Sequence, residues 1–201
     1  MAAARYHHGD LARALVQEGV RAVEESGAAA LQVKTLAAAL GVSHAAVYRH
    51  FADRGALLAA IAREGFVQLE ARTDAAFARS PVASRKQLLD VGFAAVAFAV
   101  EHPRLAELMM SGRVATTAAR PDDAPGGAVE SVGFLALVER VRGWQAAGVL
   151  GAGEPRELAF SLWVTTLGLV VLAMSGQLGL TKRALRTFVD RAHERLLDGL
   201  G

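Results

Sequence analysis

The chain of 201 residues has no cysteine, and aromatic residues make up only 6% of it. Without thiols it can form no disulfide, no thiolate metal site and no cysteine nucleophile. Its apolar residues never run uninterrupted for the length of a membrane span, since Ser, Thr, Gly and Gln break the longest candidate at residues 158–180. Residues 5–10 are polar where a signal peptide would be apolar. These absences favour a cytoplasmic protein with no membrane partner.

Apolar and helix-forming residues are what the chain has in abundance. They amount to 53% of the sequence, much of it alanine, and the mean hydropathy is +0.29. The apolar positions recur at intervals of three and four residues, and no alternating run occurs. We therefore predict an all-α fold of about nine helices, with a loop over residues 116–127. The helices are expected at residues 10–26, 33–40, 44–50, 54–79, 84–101, 104–111, 129–148, 155–177 and 181–200.

The small net charge of +2 lies entirely in the first third of the chain. Up to Arg63 there are seven Lys and Arg residues against five acidic ones, whereas from Glu64 onward fifteen of each cancel. A basic N-terminal module joined to a neutral body suits contact with a polyanion such as nucleic acid. A chance distribution of two charges stays open as the alternative.

The segment from Leu31 to Phe51 has the pattern of two short helices that meet across a tight turn. Gly41 supplies the left-handed residue that such a turn needs, and Ser43 is a good N-cap for the next helix. A helix of this kind fits the major groove of DNA, where its N-terminal residues reach the base edges.

The exposed face of this predicted reading helix supplies the candidate DNA contacts. Base edges are assigned to His44, Ala45, Ala46 and Arg49, because imidazole and guanidinium groups donate hydrogen bonds and small alanines can touch a thymine methyl. Phosphate contacts are assigned to polar side chains around it. The full predicted set is Gln32, Lys34, His44, Ala45, Ala46, Tyr48, Arg49, His50 and Arg54.

At these residues the sequence resembles the TetR family of bacterial regulators. The resemblance is carried by Arg5-Tyr-His-His-Gly-Asp-Leu11, by Leu-Ala-x-x-x-Gly-Val-Ser-x-x-x-Val-Tyr-x-His-Phe, and by Val47-Tyr-Arg-His-Phe-Ala-Asp-Arg54. It implies a three-helix DNA-binding domain at residues 1–53 and a helical ligand-binding and dimerisation bundle at residues 54–201. The helix over residues 54–79 would connect the two.

Two residues depart from the family pattern in the DNA-binding segment. Gln32 stands where the family commonly has Thr or Ser, which removes a helix cap. Arg54 stands where the family usually has Lys, which keeps the charge but changes the donor geometry. The family's DNA contacts otherwise carry over to Lys34, His44, Ala45, Tyr48 and His50, and to Arg54.

The rest of the chain resembles one C-terminal subtype of the family, which often carries Trp-x-x-x-His-Gly. Trp163 and Gly168 are kept, but Leu167 replaces the His. Large aromatic and Met side chains are candidates for an apolar effector pocket, and an ordinary bundle core is the alternative. The candidates are Phe93, Phe98, Met109, Met110, Trp144, Trp163, Thr166 and Met174.

The last two predicted helices are candidates for a homodimer interface. The first is apolar on all sides, and a helix of that kind is usually buried on more than one face. The second carries an apolar stripe. Together the interface residues are expected to be Leu162, Leu169, Leu172, Leu185, Phe188, Val189, Ala192 and Leu196.

The sequence contains little that indicates an enzyme or a metalloprotein. No Gly-rich phosphate loop or serine-nucleophile motif occurs, and His7 and His8 have no third ligand at metal-binding spacing. We predict no enzyme activity, no metal and no cofactor. The sequence instead favours a DNA-binding repressor that a small, mostly hydrophobic ligand releases from a palindromic operator. An activator of the same architecture, or a ligand- or protein-binding member that has lost specific DNA binding, remains open.

Overall fold

The computed structural model describes residues 8–80, 82–112 and 132–199. Within these ranges the chain forms nine α-helices, one 3-10 turn and no strand, which confirms the predicted all-α fold. The predicted loop at 116–127 and residues 5–7 of the N-terminal motif lie outside the described ranges. The elements are α1 (His8–Ser26), η1 (Ala28–Ala30), α2 (Val33–Ala39), α3 (His44–Tyr48), α4 (Arg54–Ala78), α5 (Arg85–Glu101), α6 (Pro103–Met110), α7 (Val132–Ala146), α8 (Pro155–Met174) and α9 (Lys182–Gly199).

Local chemistry sets several helix ends. Gly27 follows α1 with φ +81°, a conformation that side chains disfavour. Asp53 Oδ1 accepts a hydrogen bond from the amide of Ala56 at 2.7 Å, and Thr181 Oγ1 accepts one from Ala184 at 3.3 Å. Both residues cap the helices that follow them. Pro155 is the first residue of α8, where its missing N–H costs nothing.

The described residues form two compact units. The first contains the chain up to Gln68 together with the segment that begins at His102, and the second contains Leu69–Glu101 and residues 132–199. Helix α4 therefore contributes its first part to one unit and its last part to the other. The predicted domains, 1–53 and 54–201, divide the chain by sequence position and stay a prediction.

The first unit packs α1, α2, α3, the start of α4 and α6 around one core. Leu15, Val47, Leu57, Ile61 and Leu105 are almost fully buried there. Two glycines let the helices approach closely, because a Cβ on Gly19 would lie 2.4 Å from Ile61 Cδ1 and one on Gly65 would lie 2.7 Å from Met109 Sδ.

Helix α6 is tied to the C-terminal end of α1 inside this unit. His102 Nδ1 lies 2.5 Å from Glu24 Oε1. Arg104 Nη1 donates to the carbonyl of Glu24 at 3.0 Å and to that of Glu25. A cation at a helix C-terminus satisfies carbonyls that lack an intrahelical partner and interacts favourably with the helix dipole.

The second unit is built around α5, α7, α8 and α9, with the end of α4. Its core contains Trp144, which is 1% exposed, packed with Phe134, Val138, Leu158 and other apolar side chains. A buried amide satisfies the polar groups within that core. Gln87 Nε2 donates to the carbonyls of Phe77 at 2.8 Å and Ser80 at 2.7 Å, while its Oε1 accepts from Trp144 Nε1 at 2.8 Å.

Ion pairs cross the surface of the second unit. Glu101 pairs with Arg72 at 2.6 Å and with Lys182 at 3.1 Å. Hydrogen bonds from these two cations lower the pKa of Glu101 to about 2. Arg186 contacts Asp90 at 2.8 Å and Asp190 at 2.6 Å, and Arg140 pairs with Asp74.

Helix α8 is long and apolar enough, by length and composition, to cross a membrane. Core helices of soluble proteins share that property, so it is weak support for a membrane span. One side of α8 packs in the second unit through Leu158, Ala159, Leu162, Leu169 and Val170. Its other side carries apolar residues that the chain itself leaves exposed.

Candidate nucleic-acid interface

The turn between α2 and α3 has the geometry that the sequence predicts. Gly41 adopts φ +65°, and its amide donates to the Ala38 carbonyl at 3.1 Å. The amide of Val42 donates to the Ala37 carbonyl at 2.9 Å. This paired pattern ends a helix through a left-handed glycine and fixes the direction in which the chain leaves it.

Helix α3 has only five residues, and its neighbours hold it in place. Ser43 Oγ accepts from the amide of Ala46 at 3.2 Å, which confirms Ser43 as the N-cap. Val47 is buried in the core of the first unit. Since isolated helices of this length are unstable in water, the cap and the buried side chain must supply what the helix itself lacks.

The outward face of α3 presents a compact group of polar side chains. His44, Ala45, Tyr48 and Arg49 are all exposed. The rings of His44 and Tyr48 meet edge to face, with their centroids 5.0 Å apart and their planes at 72°. Imidazole, phenol and guanidinium groups on one short helix form a set of hydrogen-bond donors suited to base edges and phosphates.

Three further predicted contacts lie beside this face with different degrees of exposure. Gln32 and Lys34 are exposed at the start of α2, and His50 is half-buried just after α3. Gln32 occupies the N-cap position but makes no side-chain cap hydrogen bond. The helix cap that the family residue would supply is therefore missing from this chain.

Two predicted DNA contacts have other roles in the structure. Ala46 is 5% exposed, so its methyl group packs in the core and the predicted thymine contact is wrong. It lies one residue beyond Ala45 on the helix, which turns it inward. Arg54 donates to the carbonyls of Leu31 at 2.9 Å, Ala28 at 2.5 Å and Ala29 at 3.0 Å. Its guanidinium thus holds the backbone, contrary to its assignment as a free phosphate contact.

The structure divides the residues predicted for the dimer interface between the core and the surface of the second unit. Leu162, Leu169, Leu185 and Val189 are buried within the chain's own second unit. The apolar pattern of α8 runs all round the helix, so the sequence does not tell which face packs internally. Leu172 and Phe188 are exposed as the prediction requires, whereas Ala192 and Leu196 are half-buried.

Helix α8 has an exposed apolar stripe of which the sequence analysis predicted only Leu172. Val171 has half of its surface exposed, and the other members of the stripe are exposed to similar degrees. Phe160, Val164, Leu167 and Val171 recur at intervals of three and four residues, so they share one face of the helix, and Leu172 lies next to Val171. The stripe consists of Phe160, Val164, Leu167, Val171 and Leu172.

The predicted effector-pocket residues are divided between the two units. Met109 and Met110 belong to the first unit, where Met109 packs in the core and Met110 is exposed. The other six belong to the second unit. There Trp144 and Phe98 are buried, Trp163 contacts Phe134 edge to face at 6.1 Å, and the Arg186 guanidinium lies 4.9 Å from the centre of the Phe93 ring. Met174 is half-buried.

A buried histidine in the second unit carries a role that the sequence did not reveal. His193 is almost fully buried, with Nδ1 2.9 Å from the carbonyl of Val189 and Nε2 3.0 Å from the hydroxyl of Thr166. Burial lowers its pKa, which favours the neutral ring. A Cβ on Gly92 would lie 2.9 Å from this ring, so only glycine leaves room for it. Thr166 thus bonds a core histidine within the protein.

The two short helices and their exposed polar face define a helix-turn-helix protein. A family model described as "Bacterial regulatory proteins, tetR family" matches residues 15–61. A second, described as "Tetracyclin repressor-like, C-terminal domain", matches residues 88–196. The chain therefore belongs to the TetR family of transcriptional regulators, and the resemblance noted in the sequence is confirmed.

Solved structures agree with this assignment along nearly the whole chain. A protein of unknown function from Rhodococcus sp. RHA1 is 32% identical, with a TM-score of 0.74 and coverage of 96% of this chain and 98% of that one. A putative TetR-family regulator from Mesorhizobium loti MAFF303099 is 17% identical, with a TM-score of 0.71 and coverage of 98% and 100%. A TetR-family regulator from Marinobacter aquaeolei VT8 is 20% identical, with a TM-score of 0.63 and coverage of 90% and 92%. No curated protein matches the chain.

Proposed function

We propose that this regulator is a cytoplasmic, homodimeric repressor that reads its operator with the exposed face of α3. The observation that carries the proposal is the division of α3 into two faces. Ala46 and Val47 pack inward, while His44, Tyr48 and Arg49 face solvent. A helix presented this way fits the major groove, and two-fold symmetry would place two such helices about 34–36 Å apart on a palindromic site.

The exposed stripe on α8 supports the homodimer. Soluble proteins rarely leave a continuous apolar face uncovered, and a second copy of α8 would bury it. The matching exposure of Phe188 on α9 extends the proposed interface.

A small, mostly hydrophobic effector bound in the second unit would then weaken operator binding by favouring another conformation, with a coupling of about 1–3 kcal/mol. We expect no catalytic activity.

Operator binding is tested by footprinting and gel shift on the DNA upstream of the gene. We expect His44→Ala to relax the preference at one base pair by about 1–3 kcal/mol. Tyr48→Ala should weaken operator and random DNA alike, because a phosphate contact carries no sequence information. Glu107→Ala, at an exposed residue of α6, is the control variant. A wild-type chain that prefers no sequence over random DNA at physiological salt would refute specific binding and favour a member that has lost it.

Dimerisation is tested by sedimentation of two matched variants. Val171→Glu places a charge on the α8 stripe, so we expect the protein to sediment as a monomer. Val82→Glu makes the same change at an exposed valine away from the stripe and should leave the dimer intact. Dimers of equal stability in both variants would show that the stripe is not the interface.

A further inference from the structure

The Arg54 side chain makes three hydrogen bonds to backbone carbonyls of its own chain. Its Nε donates to the carbonyl of Leu31, and its Nη2 donates to those of Ala28 and Ala29. All three carbonyls belong to the turn between α1 and α2. One guanidinium can bind all three carbonyls because its N–H donors lie in one plane and point in several fixed directions.

This turn determines where the DNA-reading segment begins. Helix α2 has seven residues, and Gln32 at its N-cap supplies no side-chain hydrogen bond. The Gln32 carbonyl nevertheless accepts from the amides of Thr35 at 3.1 Å and Leu36 at 3.2 Å, so its position sets the first turn of α2. Arg54 holds the carbonyl of Leu31, the residue directly before it.

The other end of the Arg54 side chain is firmly fixed. Arg54 is the first residue of α4, and Asp53 caps that helix through the amide of Ala56. Leu57, Leu58 and Ile61 bury the next turns of α4 in the core of the first unit. The guanidinium therefore connects a rigid helix to a turn that lacks a cap of its own.

We infer that Arg54 is a positioning residue: it fixes the turn before α2, and thereby the reading helix, and contributes no phosphate contact. The inference rests on the proposed DNA-binding function. It also explains the two departures from the family pattern together, since the arginine supplies at Leu31 the constraint that Gln32 does not supply by capping. A lysine has one ammonium group and does not reproduce the three bonds.

The salt dependence of DNA binding separates positioning from phosphate contact. A lost phosphate contact reduces the slope of log affinity against log salt by about 1. We expect Arg54→Gln and Arg54→Lys both to weaken operator binding roughly tenfold or more with an unchanged slope. Lys34→Gln, at an exposed predicted phosphate contact, is the control and should lower the slope by about 1. Full operator affinity in Arg54→Lys, or a reduced slope in Arg54→Gln, would overturn the inference.

Amide hydrogen exchange tests the same inference without DNA. In Arg54→Gln and in Arg54→Lys the amides of Thr35 and Leu36 should exchange at least about tenfold faster, while those around Ile61 in α4 keep their wild-type rates. Unchanged rates at Thr35 and Leu36 would show that Arg54 does not hold the turn. If the wild-type chain binds no specific DNA but the exchange result holds, the proposed function fails while the structural role of Arg54 stands.

Discussion

The long-range contacts of arginine differ between the two units, whereas Arg21 of the first unit pairs locally with Glu18. In the first unit, Arg54 and Arg104 donate to backbone carbonyls at the end of α1 and in the turn that follows it. In the second unit, Arg72, Arg140 and Arg186 pair with carboxylates. A carbonyl is a neutral partner, so an arginine that binds one keeps its full positive charge. The first unit thus gains internal bonds in which these two cations are not neutralised, whereas the ion pairs of the second unit join opposite charges.

The charge distribution along the sequence is uneven as well. The basic surplus lies before Glu64, and the fifteen bases and fifteen acids that follow balance each other. Side-chain ion pairs on a protein surface weaken with added salt, while hydrogen bonds to carbonyls depend on it far less. The two units should therefore respond differently to salt and acid, which the second and third of the following predictions test, while the first concerns a neutral buried amide.

The largest effect is expected at the buried amide of Gln87 in the second unit, which takes part in no ion pair. Gln87→Ala leaves two carbonyls and the Trp144 N–H without partners in the core, so we expect a loss of about 3 kcal/mol or more in the free energy of unfolding. Gln145→Ala is the matched control. Gln145 also donates to two carbonyls, of Gly151 and Gly153, but at a site that water can reach, and should cost less than about 1 kcal/mol. Urea unfolding measures both, and equal losses would contradict a structural role for the buried amide.

A smaller effect that salt weakens only in part is expected from the first unit. Arg104→Gln removes the guanidinium bonds to the C-terminal carbonyls of α1, and we expect a loss of about 1 kcal/mol. Salt screens the interaction with the helix dipole but leaves the hydrogen bonds in place, so part of the loss should persist from about 0.05 M to about 0.5 M salt. Arg104→Lys, which retains a cation at the helix end, should recover part of it. Urea unfolding at the two salt concentrations gives the comparison, and a loss that disappears at high salt would remove the distinction between the units.

The smallest effect is expected at Glu101, which two cations hold on the surface of the second unit. Its pKa is about 2 in the folded chain against an ordinary 4.5, so its stabilising contribution is complete above pH 4.5 and is lost as the pH falls toward 2. The side chain is 37% exposed, and solvent screening should keep the contribution below about 1 kcal/mol. Unfolding of the wild type and Glu101→Gln at neutral and acid pH should show a difference that shrinks with acid and with salt. A difference that grows in acid would contradict the ion pair.

The helix-turn-helix could be predicted because its determinants are local. Gly41, Ser43 and Asp53 act on backbone groups within a few residues of themselves. The backbone hydrogen bonds of Arg54 and the buried amide of Gln87 were not predicted because their partners lie far along the chain, up to 26 residues away for Arg54 and 57 for Gln87. Nothing in the local pattern indicates which carbonyl or indole a polar side chain will meet.

The faces of α8 illustrate a second reason why the sequence left an ambiguity. Leu162 and Val171 are both apolar residues of one helix, yet the first is buried in the chain and the second is exposed. Periodicity identifies faces when polar residues mark one of them, and α8 has too few for that. The same ambiguity mixed core residues such as Trp144 into the predicted pocket.

The position of α6 in the first unit has a consequence for how such proteins can be recombined. The two family models meet the chain at residues 15–61 and 88–196, so α6 falls within the C-terminal match. Its contacts at Glu24, Glu25 and Gly65 nevertheless lie on the N-terminal side. A chimera joined between the two matches would bring a foreign α6 against this α1. Exchanging DNA-binding domains between relatives therefore requires that α6 be exchanged with them, although the 41 residues from 62 to 102 separate α6 from the N-terminal family match.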